Sequence, residues 1–415
     1  MNDATKQFIE EYKEKDVRML ALKADRNPDV DMPLALRQIT GWQMARKKLP
    51  SWASVPGILY PRHLSMEQCS SERTAEYKAG VAAKSRAGKP HSTEGARTVV
   101  DLTGGFGVDF VALARGADKA VYVERDEELC RLARHNFPRL GVEAEVVNVD
   151  AEDYLRRMDH ADLLFIDPAR RDGAGRKMVG IADCTPDILR MKDEMLGKAD
   201  RVMIKLSPML DWHKAVEDLG DCVSEVHIVS VRNECKELLV VCRGTGVRGY
   251  GGTKFGGTGV RGYEGTRLLY CVNDDDEVLV VNLQNYSRIP VPPYPRTPGK
   301  YLYEPNASIM KSGCFDALCE KYGVAPLGRN SHLFTSDREI DCFPGRKFCV
   351  EAAMTMNKRD MRQLSVTRAN VAVRNFPISA EELRKRLKLS DGGDTYIFGT
   401  TLDGGRHILI MCRKT

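Results

Sequence analysis

The segment Val99–Phe110, VVDLTGGFGVDF, joins an apolar run to an acid, a glycine-rich turn and the start of an amphipathic stretch. Gly104, Gly105 and Gly107 carry no Cβ, so the backbone of such a turn can approach a nucleotide-like ligand closely. Asp101 closes the first run, Glu124 closes AVYVE, Asp150 follows VNV and Asp167 follows LLFI. Acids at the ends of successive strands can accept hydrogen bonds from hydroxyl, amine or ammonium groups of one shared ligand. Singly, each is an ordinary strand-end residue. Their common register is what points to a site.

Those residues need a scaffold that brings strand ends together. From Ala96 to about Gly244, short β-branched runs alternate with helical periodicity, which predicts a parallel sheet with helices on both faces. The predicted strands are TVVDL, AVYVE, AEVVNV, LLFID, RVMIKLS, VHIVSV and ELLVVC, with helices starting near Val108, Glu127, Tyr154, Ile188 and His213. Only RNECK separates the last two strands. That is too short for a parallel crossover, so they are expected to form an antiparallel hairpin at the sheet's edge.

A mostly parallel sheet with one antiparallel edge strand resembles the Rossmann-like fold of class I S-adenosylmethionine (SAM)-dependent methyltransferases. The resemblance implies that SAM is the cofactor. Thr103, Gly104, Gly105 and Gly107 would face its methionine and ribose portions, and Asp101 would orient the ammonium through water or the loop. Glu124, next to Arg125, would accept both ribose hydroxyls, with Asp126 as the substitute; Asp150 would read the adenine amine, and Ala151 or Glu152 would flank the ring. An acid at Glu124 suits a neutral ribose diol and repels a 2′-phosphate. A nicotinamide dinucleotide would instead want GxGxxG, and Asp109 stands where its third small residue belongs.

LLFIDPARRD, Leu163–Asp172, occupies the catalytic motif position of the resembled fold. Amino-methyltransferases that act on bases carry Asp/Asn-Pro-Pro-aromatic there; the acid accepts from the target amine and the ring stacks on the extruded base. The resemblance therefore implies catalytic roles for Asp167 and Pro168, and for Arg170, whose guanidinium replaces the aromatic and can also stack. IDPAR is similar as well to the motif of RNA 5-methyluridine methyltransferases, which attack with a cysteine just after strand five. Here Ser207 and Pro208 follow that strand, so covalent carbon methylation is not expected. The run DLTGGFGVDF, ERDEE and DP also looks like ribosomal RNA guanine methyltransferases, which implies a purine nitrogen in tRNA or rRNA as the target. Lys205, Arg170 and Arg171 would then neutralise phosphates, or else form a solvated basic rim.

Residues 1–95 read as an N-terminal helical domain, with Asp31 and Pro33 starting one helix and Ser65 capping another over MEQCSSERTAEYKAGVAA. EQCSSERTAEYK resembles a stretch upstream of the SAM fold in a bacterial methyltransferase family that ends in a THUMP-like domain. Gln68, Ser70, Ser71 and Lys78 either line the pocket or dock the helices on the sheet. Residues 96–243 form the SAM-binding domain, and 244–265 a glycine-rich loop carrying GTGVRGY twice. A hairpin turning on Asn273–Asp276, a proline-rich linker and a small ferredoxin-like module fill 266–342. The C-terminal α+β module, 343–415, runs strand, helix, strand, helix, strand, strand and resembles the THUMP-like domain of that family. THUMP domains dock RNA, which implies phosphate contacts for Arg359, Arg362, Arg368, Arg374, Arg384, Lys385, Arg386 and Lys388. Beside Glu381 and Glu382 the same helix charges also read as a solvated face.

Composition bounds these readings. At 415 residues, 42% apolar and 29% charged, the chain is long enough for two or three globular domains. No apolar run approaches the roughly 18 residues that span a bilayer, and the polar N-terminus does not read as a signal peptide. A net charge of +5 permits RNA as a partner without demanding it. Twelve cysteines without a CxxC pair are expected to be reduced thiols in a cytoplasm; the spacings of Cys314, Cys319, Cys342 and Cys349 suit zinc poorly, so no metal is expected. The expected activity is SAM-dependent methylation of a base in structured RNA. A protein or small-molecule methyltransferase, or a non-catalytic RNA-binding protein with a residual SAM fold, are the alternatives.

Overall fold

Six helices open the chain in the computed structural model, which describes residues 1–22, 27–84, 97–170, 180–245, 266–274, 276–290, 292–357, 359–360 and 366–415. They are α1 (Asp3–Tyr12), α2 (Val17–Ala21), α3 (Met32–Lys48), α4 (Pro50–Ser54), α5 (His63–Gln68) and α6 (Glu72–Lys84). Asp31 caps α3 by accepting the Leu34 amide at 3.1 Å, with Pro33 in the first turn, as its sequence predicts. The single helix expected from Ser65 is instead two. Ser71 accepts the Thr74 amide at 3.2 Å and so starts α6 afresh, while α5 begins two residues before Ser65, at His63.

The next segment alternates strand and helix: β1 (Thr98–Asp101), α7 (Val108–Ala114), β2 (Lys119–Glu124), α8 (Glu127–Asn136), β3 (Glu145–Asn148), α9 (Ala151–Arg157) and β4 (Ala161–Ile166). It continues through β5 (Ala169–Arg170), β6 (Cys184–Thr185), α10 (Ile188–Lys198), β7 (Ala199–Leu206), α11 (Trp212–Leu219), β8 (Val223–Val231) and β9 (Glu234–Arg243). The chain divides into two compact units, Met1–Ser224 with Leu238–Glu264, and Glu225–Glu237 with Gly265–Thr415.

In the first unit the strand order is β9-β7-β4-β1-β2-β3. Strand β1 pairs in parallel with β2 and β4, β2 with β3, and β4 with β7, while β9 runs antiparallel to β7. Val99, Val100, Val121, Leu164 and Ile204 are buried, the near-continuous apolar strands of a sheet covered on both faces. Because the five parallel strands share one direction, Asp101, Glu124, Asn148, Ile166 and Leu206 all end at one edge. The N-terminal helices share that unit's core: Trp52 and Tyr60 cluster with Phe106, Phe110, Tyr122 and Phe137, beneath the glycine turn.

The chain reverses between β8 and β9 at Arg232 and Asn233, whose φ of 52° and 60° suit a tight hairpin turn. In the second unit β8 lies parallel to β10 (Leu268–Asn273), which pairs antiparallel with β11 (Asp276–Asn282). Strand β8 is therefore not left unpaired on the side away from β9, as an edge strand would be: its partner there is β10, in the hairpin turning on Asn273–Asp276.

The remaining elements are β12 (Tyr301–Pro305), α12 (Ala307–Ser312), α13 (Phe315–Tyr322), β13 (Ala325–Pro326), β14 (Phe334–Ser336), β15 (Gly345–Met354), β16 (Asn370–Arg374), α14 (Ala380–Leu387), β17 (Thr395–Thr401) and β18 (His407–Lys414). They build one seven-stranded sheet of order β13-β14-β12-β15-β18-β17-β16. Strands β12 and β15 pair antiparallel, with Leu302 opposite Phe348, so 301–342 and 343–415 share a sheet. Leu302, Leu333, Phe348, Phe398 and Ile410 form its core.

Candidate active site

The glycine turn is held from beneath. Gly104 donates its amide to the Val123 carbonyl at 2.9 Å, and a Cβ there would fall 2.1 Å from the ring of the fully buried Tyr122. The Tyr122 hydroxyl donates to the Gly105 carbonyl. Gly107 caps α7 with φ +86°, a left-handed conformation that favours glycine, and a Cβ there would meet the Phe137 ring at 2.7 Å. Tyr122 and Phe137 thus leave the turn no room for side chains on its inner side.

The strand tips converge on that turn. Glu124 accepts the Gly105 amide through one carboxylate oxygen and the Asp126 amide through the other, each at 2.9 Å. Asn148, at the tip of β3, donates to the carbonyls of Glu124 at 2.9 Å and Arg125 at 3.0 Å, bracing β2 from the neighbouring strand. Asp126 is occupied elsewhere: it caps α8 by accepting the Glu128 and Leu129 amides. Asp101 is buried and accepts the Thr103 amide at 2.9 Å. Burial pushes its carboxyl well above the usual range against the lowering by that amide, and the charges of Asp109, Asp167 and Glu124 push the same way.

Asp150 is exposed at the N-cap position of α9, yet its side chain makes no capping bond. Ala151, the next residue, is buried, and Arg125 is exposed. The hydrogen bonds therefore tie Asp101 to Thr103 and Glu124 to Gly105 on the same turn, with Asp150 standing at the adjacent strand end.

After β4, the Asp167 amide donates to the Thr103 hydroxyl at 2.6 Å, which ties the DPAR motif to the glycine turn. The Asp167 carboxylate receives the Lys205 ammonium at 2.5 Å; Pro168 is buried. Lys205 also lies 3.5 Å from Asp109, which pairs with Lys78 at 3.2 Å and accepts the Ser70 hydroxyl at 2.7 Å. Burial would raise the Asp109 carboxyl, but Lys78, Lys205 and Ser70 together hold it below the usual range. Of the upstream candidates, Ser70 and Lys78 reach the site, Ser71 caps α6 and Gln68 is exposed. Asn148, Tyr122 and the bridging role of Asp109 are additions that strand-end patterns do not reveal. Arg170 pairs by its backbone with Cys184 in the β5–β6 ladder. Its side chain, Arg171, Arg362 and residues 246–265 of the duplicated loop lie outside the described residues.

Family models match three stretches of the chain: conserved hypothetical protein 95 over residues 90–182, a ferredoxin-like domain over 301–344 and a THUMP domain-like module over 345–414. A crystal structure from Porphyromonas gingivalis W83, of a protein assigned as a methyltransferase, superposes with a TM-score of 0.81. It is 31% identical and covers 99% of this chain and 98% of its own. The chain belongs to this family of class I SAM-dependent methyltransferases with a THUMP-like C-terminus. An uncharacterized SAM-dependent methyltransferase of Mycobacterium tuberculosis is 25% identical over 326 residues, 77% of this chain and 82% of that protein.

The methyltransferase uses SAM as methyl donor, and its donor and acceptor set fits that molecule. The two Glu124 oxygens each hold one backbone amide and keep a further lone pair, as acceptance from a diol requires. Among the described residues no helix of the methyltransferase is long and apolar enough to cross a membrane, and no His/Cys/Asp/Glu group is arranged to hold a metal ion. Its C-terminal basic residues are largely paired: Arg374 and Arg346 with the buried Glu304, Arg384 with Asp391 at 3.2 Å, Lys385 with Glu381 at 2.8 Å and Arg386 with Glu382 at 2.6 Å.

Proposed function

We propose that this enzyme methylates a purine nitrogen in structured RNA, tRNA or rRNA, in the cytoplasm. Thr103, Gly104, Gly105 and Gly107 line the donor, Asp101 answers its ammonium, Glu124 beside Arg125 its ribose, and Asp150 with Ala151 its adenine. When bound, SAM supplies a methyl group made electrophilic by its sulfonium. The protein's own task is alignment and proton management.

One observation carries the choice of nitrogen: a carboxylate, Asp167, is fixed beside the glycine turn through Thr103 and Lys205. A neutral nitrogen that gains a methyl group gains a positive charge and must lose a proton. Asp167 accepts the hydrogen bond from that N–H and then takes the proton. Pro168 and Arg170 shape the space for the base. No cysteine follows β7, where Ser207 and Pro208 stand, so attack on a ring carbon lacks its nucleophile. RNA is favoured by the THUMP-like module, a type of domain that docks RNA. Lys385 and Arg386 on α14 stay more than half exposed despite their partners and are the phosphate contacts of this reading, with Arg384 and Arg374 more firmly engaged.

Mass spectrometry of nucleosides from RNA of cells lacking and then regaining the gene tests this reading. One methylated purine should vanish and return. A nucleoside profile identical in both, with methyl label entering protein or small molecules instead, would remove RNA as the substrate.

A further inference from the structure

We infer that Lys205 is a positioning residue for Asp167, and that Asp109, Lys78 and Ser70 hold it there, so that α6 is part of the catalytic centre. The inference rests on Asp167 receiving the acceptor proton. Four charged groups run in a line from helix to motif. Lys78 on α6, completely buried, lies 3.2 Å from Asp109 on α7; Asp109 lies 3.5 Å from Lys205 on β7; Lys205 lies 2.5 Å from Asp167. Ser70, just before α6, bonds both Asp109 at 2.7 Å and Lys78 at 3.3 Å.

Two ammoniums and two carboxylates sum to no net charge, and their alternation offsets by mutual attraction the cost of taking Lys78, Asp109 and Lys205 out of water. The arrangement also decides what Lys205 does. Its side chain is 11% exposed and lies between two carboxylates, so reaching for an RNA phosphate would strip both of a cation. Asp167 is meanwhile restrained at both ends, its amide by Thr103 and its carboxylate by Lys205. A carboxylate has about four lone-pair sites, so Asp167 can receive the acceptor N–H beside the Lys205 ammonium. An ångström of misplacement at such a group lowers the rate about 100-fold, which gives the buried line its purpose.

The test uses full-length protein, tritiated SAM, and the RNA, protein and small-molecule fractions of extract from cells lacking the enzyme. Lys205→Met should lower kcat about 10- to 100-fold in the labelled fraction, with KM for the acceptor changed less than about twofold. Where that fraction is RNA, its salt dependence should match the parent's; a phosphate contact would raise KM and flatten the log–log salt slope by about one. Lys78→Met, a residue no substrate reaches, should lower kcat in the same direction, and the double variant should lose little more than Lys205→Met alone. SAM affinity and thermal unfolding of each variant separate this from misfolding. If Lys78→Met does not fold, the KM-against-kcat split and salt slope of Lys205→Met decide.

Parental kcat in Lys205→Met beside an inactive Asp167→Asn overturns the inference and leaves the Asp167 reading standing. A fully active Asp167→Asn overturns both. Label in protein rather than RNA overturns the RNA reading, and Lys205 is then judged on the protein fraction.

Discussion

Glu124 accepts the amide of Gly105 at 2.9 Å, so the acid at the tip of β2 and the turn after β1 are one unit. The carboxylate positions the turn and, in our reading, the ribose with the same two oxygens. Glu124→Gln keeps an oxygen for Gly105 but loses the charge and half the acceptors. Hydrogen bonds to a charged group contribute about 1.5–3 kcal/mol, so SAM affinity should fall about 10- to 100-fold while the fold persists. Isothermal titration measures this. A dissociation constant within about twofold of the parent would remove Glu124 from the donor site.

The two buried acids beside the turn should respond oppositely to pH and to neutralisation. Asp109 is held below its usual value of 3.8, so its stabilisation is complete above that pH and is lost as pH falls through the folded value. Asp109→Asn leaves Lys78 buried without its carboxylate and should destabilise by about 3–5 kcal/mol at pH 7. The deficit should begin to shrink as pH falls below about 4, where the unfolded parent takes up the proton, and should go on shrinking until the folded Asp109 also protonates at its lower value. Asp101 is raised instead, so its ionisation weighs against the fold as pH climbs past 3.8. Asp101→Asn still accepts the Thr103 amide and should leave Tm unchanged or higher at pH 7. Denaturant melts from pH 3 to 8 compare the two, and equal losses at pH 7 would refute the assignment.

What was legible in the sequence was what local pattern encodes. Apolar runs ending in Asp101, Glu124 and Asp167 mark parallel strands because both faces of such strands are buried, and the glycine turn marks a backbone that must pass a ring. Pairings between distant residues left weaker traces. Asp109 shows in the sequence only as an acid where a small residue is wanted, and Lys78 as a residue that either lines the pocket or docks the helices, with nothing to say that the two meet across 31 positions of sequence. Asn148 gave no sign that it would brace β2. The break before α6 was readable from Ser71 as a cap, but the helical periodicity continues across it and hides it. Nor does periodicity reveal that β12 will pair with β15, since edge pairing depends on backbone groups that every residue carries.

That pairing has a consequence for truncation. Removing residues 345–415 takes Phe348 from opposite Leu302, and takes Phe398 and Ile410 from the cluster that buries Leu302, Leu327 and Leu333. It also exposes one edge of β12, an invitation to aggregation. The shortened chain should be insoluble, or be cleaved in 301–342 by low protease at rates far above the parent's. A soluble truncation that resists protease would show that the segment 301–344 folds alone. Point variants are therefore the sounder probe of the C-terminal module.

Lys385 and Arg386 provide that probe. Each pairs one turn back on α14, with Glu381 and Glu382, and their side chains stay 74% and 55% exposed. Exposed pairs of this kind are worth about 0.3–0.5 kcal/mol, little enough for a phosphate to compete with the carboxylate. The double variant Lys385→Ala/Arg386→Ala should therefore keep the parent's Tm and SAM affinity but weaken binding of total tRNA. Its slope of log affinity against log salt should fall by about two, one for each phosphate left without its cation. Arg374→Ala provides the contrast. It takes one of two guanidiniums from the buried Glu304, so it should lower Tm as well as any RNA affinity. Filter binding between about 50 and 200 mM salt reads both effects. An unchanged slope in the double variant would take α14 out of the RNA interface and return its charges to the role of a solvated helix face.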